Sequence, residues 1–122
     1  MVKVICDTSF LMHIANTRIK NITNIETEIG QLDYIVPLVV LHELENLTKD
    51  EKKGSNANSA LNYIQNFKMN EISGIFADKA ILEYVKHNGG IVATMDKELK
   101  NKIKELGGSV ISIANDRIVL EK

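Results

Sequence analysis

Short uninterrupted apolar runs alternate along this chain with helical patterns, and that alternation limits the fold more than any other feature. Val2, Val4, Ile5 and Cys6 form the first run; Tyr34-Ile35-Val36, Ile91-Val92-Ala93-Thr94 and Val110-Ile111-Ser112-Ile113 follow it. Strands without polar alternation are buried on both faces, which predicts an α/β architecture with a parallel sheet covered by helices on both faces. Ile118-Val119-Leu120 fits a final edge strand, and Lys68 to Ile75 holds only a weak strand candidate.

The segments between these runs carry apolar residues at helical spacing. Phe10, Leu11, Ile14 and Ala15 line one such face, and Leu38, Leu41, Leu44 and Leu47 another. Ile22, Ile25, Ile29 and Leu32 form a third stripe, expected to end near Gly30 or Gln31. Ala57, Ala60, Leu61, Ile64 and Phe67 make a fourth, and Ile81, Leu82 and Val85, preceded by Asp78, a fifth. Asp96 opens the last, with Leu99, Ile103 and Leu106 on one side; Gly89-Gly90 and Gly107-Gly108 act as helix stops.

At 122 residues the chain suits one domain spanning 1–122, with no room for a second catalytic domain. Its 15 basic and 16 acidic residues give a formal charge of −1, so any surface for a polyanion has to be local. The lone cysteine, Cys6, excludes an internal disulfide and a thiolate metal cluster, and its apolar strand makes it a buried structural thiol. No stretch has the roughly 20 apolar residues that span a bilayer, and the expected location is cytoplasmic, without membrane contact. His42-Glu43 begins like a zinc-protease helix but lacks the second histidine that chemistry needs.

In a parallel α/β sheet, residues just past the carboxyl ends of neighbouring strands converge on one crevice. Asp7 follows the first strand, and Thr94 and Asp96 follow a later one. Each acid taken alone reads equally as a helix cap or a solvated helix residue. If the intervening helices bring Glu43 and Asp78 to the same edge, four carboxylates share one volume. Their repulsion then raises a proton affinity or calls for bound cations, and hard oxygen donors suit Mg2+ or Mn2+.

The order of these segments resembles the PIN-domain family over nearly the whole chain, particularly its small archaeal and ribosome-processing branch. Val4-Ile5-Cys6-Asp7-Thr8-Ser9-Phe10-Leu11 is similar to its opening strand motif, and Val36-Pro37-Leu38-Val39-Val40-Leu41-His42-Glu43-Leu44 to its second acidic segment. Ile75-Phe76-Ala77-Asp78-Lys79-Ala80-Ile81-Leu82 is similar to the third, and Ile91-Val92-Ala93-Thr94-Met95-Asp96-Lys97-Glu98-Leu99 to the fourth. The resemblance implies a Rossmann-like sheet and an endoribonuclease dependent on Mg2+ or Mn2+ that hydrolyses RNA phosphodiester bonds. Asp7, Glu43, Asp78 and Asp96 are then the catalytic and metal-binding acids, supported by Thr8, Ser9 and Thr94.

The chain departs from the family pattern at Lys79, where relatives commonly carry a second consecutive acid, and at Ser9, where they often carry Asn. Lys79 therefore supports an alternative reading, a catalytically weakened RNA-binding or RNA-processing assembly protein. Lys49, Lys52 and Lys53, with Lys68, Lys79, Lys97, Lys100, Lys102 and Lys104, offer a local phosphate-contacting rim, of which Lys79, Lys97 and Lys100 are the candidate RNA-binding residues, though lysines interspersed with acids also simply solvate helices. An antitoxin or a ribosome-processing partner is implied by the family, and the Ile22, Ile25 and Ile29 stripe adds a homodimer to the expected assemblies.

Overall fold

The computed structural model describes residues 2–19 and 30–121. Six strands, β1 (Val2–Cys6), β2 (Leu32–Pro37), β3 (Lys68–Asn70), β4 (Ile91–Ala93), β5 (Ser109–Ala114) and β6 (Arg117–Glu121), form one sheet in the order β3-β2-β1-β4-β5-β6. The first five run parallel, whereas β6 pairs antiparallel with β5. Among the described residues five helices flank the sheet: α1 (Thr8–Ala15), α2 (Leu38–Leu47), α3 (Gly54–Tyr63), α4 (Ala77–Asn88) and α5 (Lys97–Glu105). This is a mixed, mostly parallel α/β fold of the Rossmann-like kind.

Val4, Ile5 and Cys6 are all buried, as are Val110, Ile111, Ser112 and Ile113. Consecutive strand residues point to opposite faces, so these runs require cover on both sides of the sheet. Phe10 and Leu11 of α1, Val40 and Leu44 of α2, Ile81 and Val85 of α4 and Ile103 of α5 help supply it. Stacked rings continue the packing from Phe10 through Tyr34 to Phe67, with centroids 6.2 and 5.7 Å apart. Cys6 is fully buried, and that burial pushes its thiol pKa well up, leaving it inert as a nucleophile.

Three details differ from the sequence reading. Leu32 begins β2 rather than closing a helix: Gly30 turns the chain at φ +88°, Val2 N–H donates to Gln31 O at 2.8 Å, and Leu32 pairs with Val2. The helix whose apolar stripe includes Ile64 and Phe67 ends at Tyr63, so both lie beyond it, and Phe67 stacks on Tyr34 instead. The last strand is antiparallel because Asn115 and Asp116 both adopt positive φ, 53° and 59°, making a two-residue hairpin turn between Ala114 and Arg117. The Ile22, Ile25 and Ile29 stripe, and with it the expected dimer surface, lies outside the described residues.

Candidate active site

The sheet order reverses at β1, whose neighbours are β2 on one side and β4 on the other. Chains leaving adjacent strands there diverge and open a crevice at the carboxyl ends. Asp7 is the residue immediately after β1, and Thr94 and Asp96 follow β4. Pro37, whose ring already has helix-compatible φ, ends β2 and leads directly into α2, which carries Glu43. Asp78 sits in the first turn of α4, one residue inside the helix rather than ahead of it.

A cleft of about 540 Å³ is lined by Asp7, Glu43, Asp78 and Asp96 together, along with Thr8, Ser9, Met12, Leu47, Lys53, Asn56 and Ala77. Asp78 and Asp96 also border a much narrower cleft of about 20 Å³ beside Glu98 and Lys102. The four predicted acids thus come from four separate parts of the chain to one opening.

Asp7 is the most enclosed of the four, only 7% exposed. Its backbone N–H donates to Ala93 O at 2.9 Å, tying the end of β1 to the end of β4. Thr94 Oγ1 and Ser9 Oγ donate to the same carboxylate oxygen, Asp7 Oδ2, at 2.9 and 3.0 Å. Each hydroxyl is itself held by a backbone donor: Met95 N–H gives to Ser9 Oγ at 3.0 Å and Asp96 N–H to Thr94 Oγ1 at 3.1 Å. The two hydroxyls lie 3.2 Å apart, but a hydroxyl has one proton, so donation to Asp7 excludes donation to the other. Ionised Asp7, which only accepts, is the form this arrangement orients.

Asp7 occupies the position before α1 without capping it, whereas Asp96 does cap α5, accepting Leu99 N–H on Oδ1 at 3.1 Å. The pKa of Asp7 is raised chiefly by burial, while the hydroxyl bonds from Thr94 and Ser9 and the Thr8 amide pull it down. The Asp96 charge also raises it but is the smallest of these effects. Mutual repulsion, the cause expected from sequence, is therefore secondary to desolvation.

Among the described residues no group of three or more His, Cys, Asp or Glu is close enough to hold a metal ion. The donor chemistry nonetheless suits a hard cation. Every acid lining the cleft offers carboxylate oxygen, and Thr8 Oγ1, on the same wall, is buried without a hydrogen-bond partner. Magnesium characteristically keeps several waters and takes one or two carboxylates, which matches acids spread around a cleft better than a closed protein cage does.

The lysines separate. Lys79 is not on the acidic cleft: its ammonium lies 5.2 Å from the centre of the Phe76 ring, in a neighbouring groove with Ser73, Gly74 and Ile75. Lys100 Nζ is held by Glu121 Oε2 at 2.9 Å and does not line the acidic cleft. Lys97, the first residue of α5, is exposed next to Asp96. The lysine that does line the cleft is Lys53, joined by Asn56. Sequence offers Lys53 only as one lysine of a long candidate rim and does not mark Asn56, because Lys53 reaches the site from the turn between α2 and α3, and Asn56 from the first turn of α3, rather than from a strand end. The signal for that turn, Asp50 followed by Gly54-Ser55, marks a connection without revealing where it packs.

Residues 4–116 match the family model described as a PIN like domain. Ribonuclease VapC4 of Methanocaldococcus jannaschii is 37% identical over 111 residues, covering 86% of this chain and 85% of that protein. Among solved structures, the PIN domain endonuclease Utp24 superposes with a TM-score of 0.75 at 26% identity, covering 98% of this chain and 90% of the other. A domain of a functionally unknown protein from Methanocaldococcus jannaschii shares the fold at a TM-score of 0.62 and 18% identity, covering 93% and 92% of the two chains.

Proposed function

The chain belongs to the PIN-like domain family, and from that premise we propose that it is an endoribonuclease, dependent on Mg2+ or Mn2+, that hydrolyses RNA phosphodiester bonds. The observation that carries this reading is the cleft shared by Asp7, Glu43, Asp78 and Asp96 at the point where the sheet order reverses. Similarity to proteins described as a ribonuclease and an endonuclease supports it.

In this reading Asp7 and Asp96 are the first choices for holding a divalent cation, directly or through its waters, and Glu43 and Asp78 complete the acidic set. Such an ion supplies a lowered water pKa and charge stabilisation on the phosphoryl and leaving oxygens. The chain's own contribution is orientation. Ser9 and Thr94 fix one oxygen of Asp7 with two hydroxyl bonds, while their own positions are set by the Met95 and Asp96 amides. Burial of Asp7 removes competing water from its other contacts and makes its ionised form eager for a compensating positive charge. Water is the nucleophile: its oxygen bonds to phosphorus as it gives up one proton, the bond to the leaving ribose oxygen breaks, and that oxygen takes up one proton.

A second reading, an RNA-binding or RNA-processing assembly protein of weakened activity, is favoured by the absence of a three-acid group at ligand spacing among the described residues. Incubating single-stranded and structured RNAs with the protein, with and without Mg2+ or Mn2+, separates the two. Divalent-dependent chain cleavage supports the nuclease; binding without cleavage under every metal condition supports the alternative. The RNA partner, an antitoxin or ribosome-processing partner, a homodimer and a cytoplasmic location remain parts of this proposal. Among the described residues no helix is long and apolar enough to cross a membrane.

A further inference from the structure

A cleft walled by four carboxylates repels the polyanion it is meant to receive, and the protein carries no overall positive charge to overcome that repulsion. Among the described residues lining the cleft, Lys53 is the one cation. Its place is built into the turn between α2 and α3. Lys53 N–H donates to Asp50 Oδ1 at 2.9 Å beside Lys52 N–H at 2.8 Å, and Gly54 N–H donates to Asp50 O at 2.8 Å. Gly54 is buried, and a Cβ there would stand 2.6 Å from the Thr48 carbonyl oxygen, so the chain passes this point only as glycine. α3 is in turn tied to α1, where Asn16 Nδ2 donates to both Met12 O and Asn56 O at 2.7 and 3.3 Å. The turn that carries Lys53 is therefore held on several sides at the rim of the acidic cleft. The cleft is also lined by Thr8, whose buried hydroxyl has no hydrogen-bond partner among the described residues. A buried donor of that kind calls for a ligand acceptor.

We propose that Lys53 is the phosphate-positioning residue of this cleft: its ammonium pairs with a non-bridging oxygen of an RNA backbone phosphate and so brings the strand against the four acids. The proposal rests on the RNA-directed reading above. It assigns to Lys53 a role that Lys100, committed to Glu121, and Lys79, lying over Phe76, do not fill from where they sit. Because the contact is to the phosphate, it carries no base preference.

The test is to measure RNA binding by the full chain in EDTA, across a salt series, for the parent and for Lys53→Met and Lys53→Arg, and then cleavage with Mn2+. Loss of one phosphate contact lowers the slope of log affinity against log salt by about 0.7 for single strands. Affinity at low salt falls about tenfold in Lys53→Met and returns towards the parent value in Lys53→Arg, as a charge-assisted hydrogen bond requires. In cleavage the loss falls mainly on KM. Circular dichroism of Lys53→Met confirms that this exposed position leaves the fold intact. Parental slope and affinity in Lys53→Met overturn the proposal and leave the nuclease reading standing. A parent that binds RNA without cleaving it defeats the nuclease reading while the slope still decides Lys53, and a parent that binds no RNA defeats both.

Discussion

Thr94 Oγ1 donates to Asp7 Oδ2 at 2.9 Å, a bond between residues 87 positions apart that closes the crevice between the ends of β1 and β4. Thr94 is fully buried and takes the Asp96 N–H in return. Two of the four acids are thereby positioned through a single hydroxyl. Replacing Thr94 with Val leaves the Asp96 amide and Asp7 Oδ2 each one partner short, which costs about 1–3 kcal/mol of stability. It also removes the first of the bonds that lower the Asp7 pKa, so the acid limb of the cleavage profile moves to higher pH. Thr94→Ser restores both. Denaturant unfolding and a pH-rate series check the two effects separately.

Asp7 sacrifices stability for its position. Its folded pKa is raised above 3.8 by burial, so protons are held more tightly in the folded state than in the unfolded one. Its contribution is most favourable below pH 3.8 and is lost as pH rises through the raised folded value. Asp7→Asn, which keeps an acceptor for Ser9 and Thr94 but has no charge to desolvate, is accordingly more stable than the parent at pH 7. The difference shrinks on acidification. Cleavage by the same variant falls about a hundredfold or more. Thermal unfolding at several pH values, beside matched cleavage rates, tests this opposition; a variant less stable than the parent at pH 7 contradicts it.

The acids at strand ends are legible in sequence because a parallel α/β pattern dictates where Asp7, Thr94 and Asp96 must emerge, and Pro37 announces the start of α2. Asn56 is not, and Lys53 is visible only as one member of a candidate lysine rim, since their approach to the cleft depends on how α3 packs against α1 and α2, a tertiary outcome with no local period. The hairpin before β6 hides for a different reason. Asn115-Asp116 is not the Asn-Gly pair that usually advertises positive φ at both turn positions. The dominance of burial over repulsion at Asp7 depends on depth, which sequence does not encode residue by residue.

Lys79 occupies the position where the family pattern would place a second acid, yet its ammonium stacks over Phe76 outside the acidic cleft. An exposed contact of this kind contributes about 0.5–1 kcal/mol and reports a side chain settled elsewhere. Lys79→Asp therefore leaves manganese affinity within about twofold of the parent, since screening weakens a charge change at an exposed site away from the acids. Isothermal titration with manganese measures this directly, and a large gain in affinity would mean that position 79 reaches the metal after all.

Outside the cleft lining, Glu121 joins β6 to β5 and α5. It accepts from Ser112 Oγ and Lys100 Nζ on Oε2, and from Lys104 Nζ on Oε1. The Ser112 bond and then the lysines lower its pKa from 4.5 to about 2. A depressed carboxylate stabilises the fold fully above its unfolded pKa and loses that contribution as pH falls through the folded one. Acid unfolding of the parent thus gains steepness between about pH 4.5 and about 2, and Glu121→Gln flattens that window. Urea midpoints measured across the range show the difference.

The most direct measurement is cleavage of a defined set of single-stranded and structured RNAs by the purified chain in Mn2+, Mg2+ and EDTA, run beside Asp7→Asn, Glu43→Gln, Asp78→Asn and Asp96→Asn. The shared acidic cleft predicts cleavage that requires a divalent ion and is lost in EDTA. It also predicts a steep loss in each folded variant, largest for Asp7 and Asp96. Cleavage that persists in EDTA, or that survives all four substitutions at the parental rate, contradicts it.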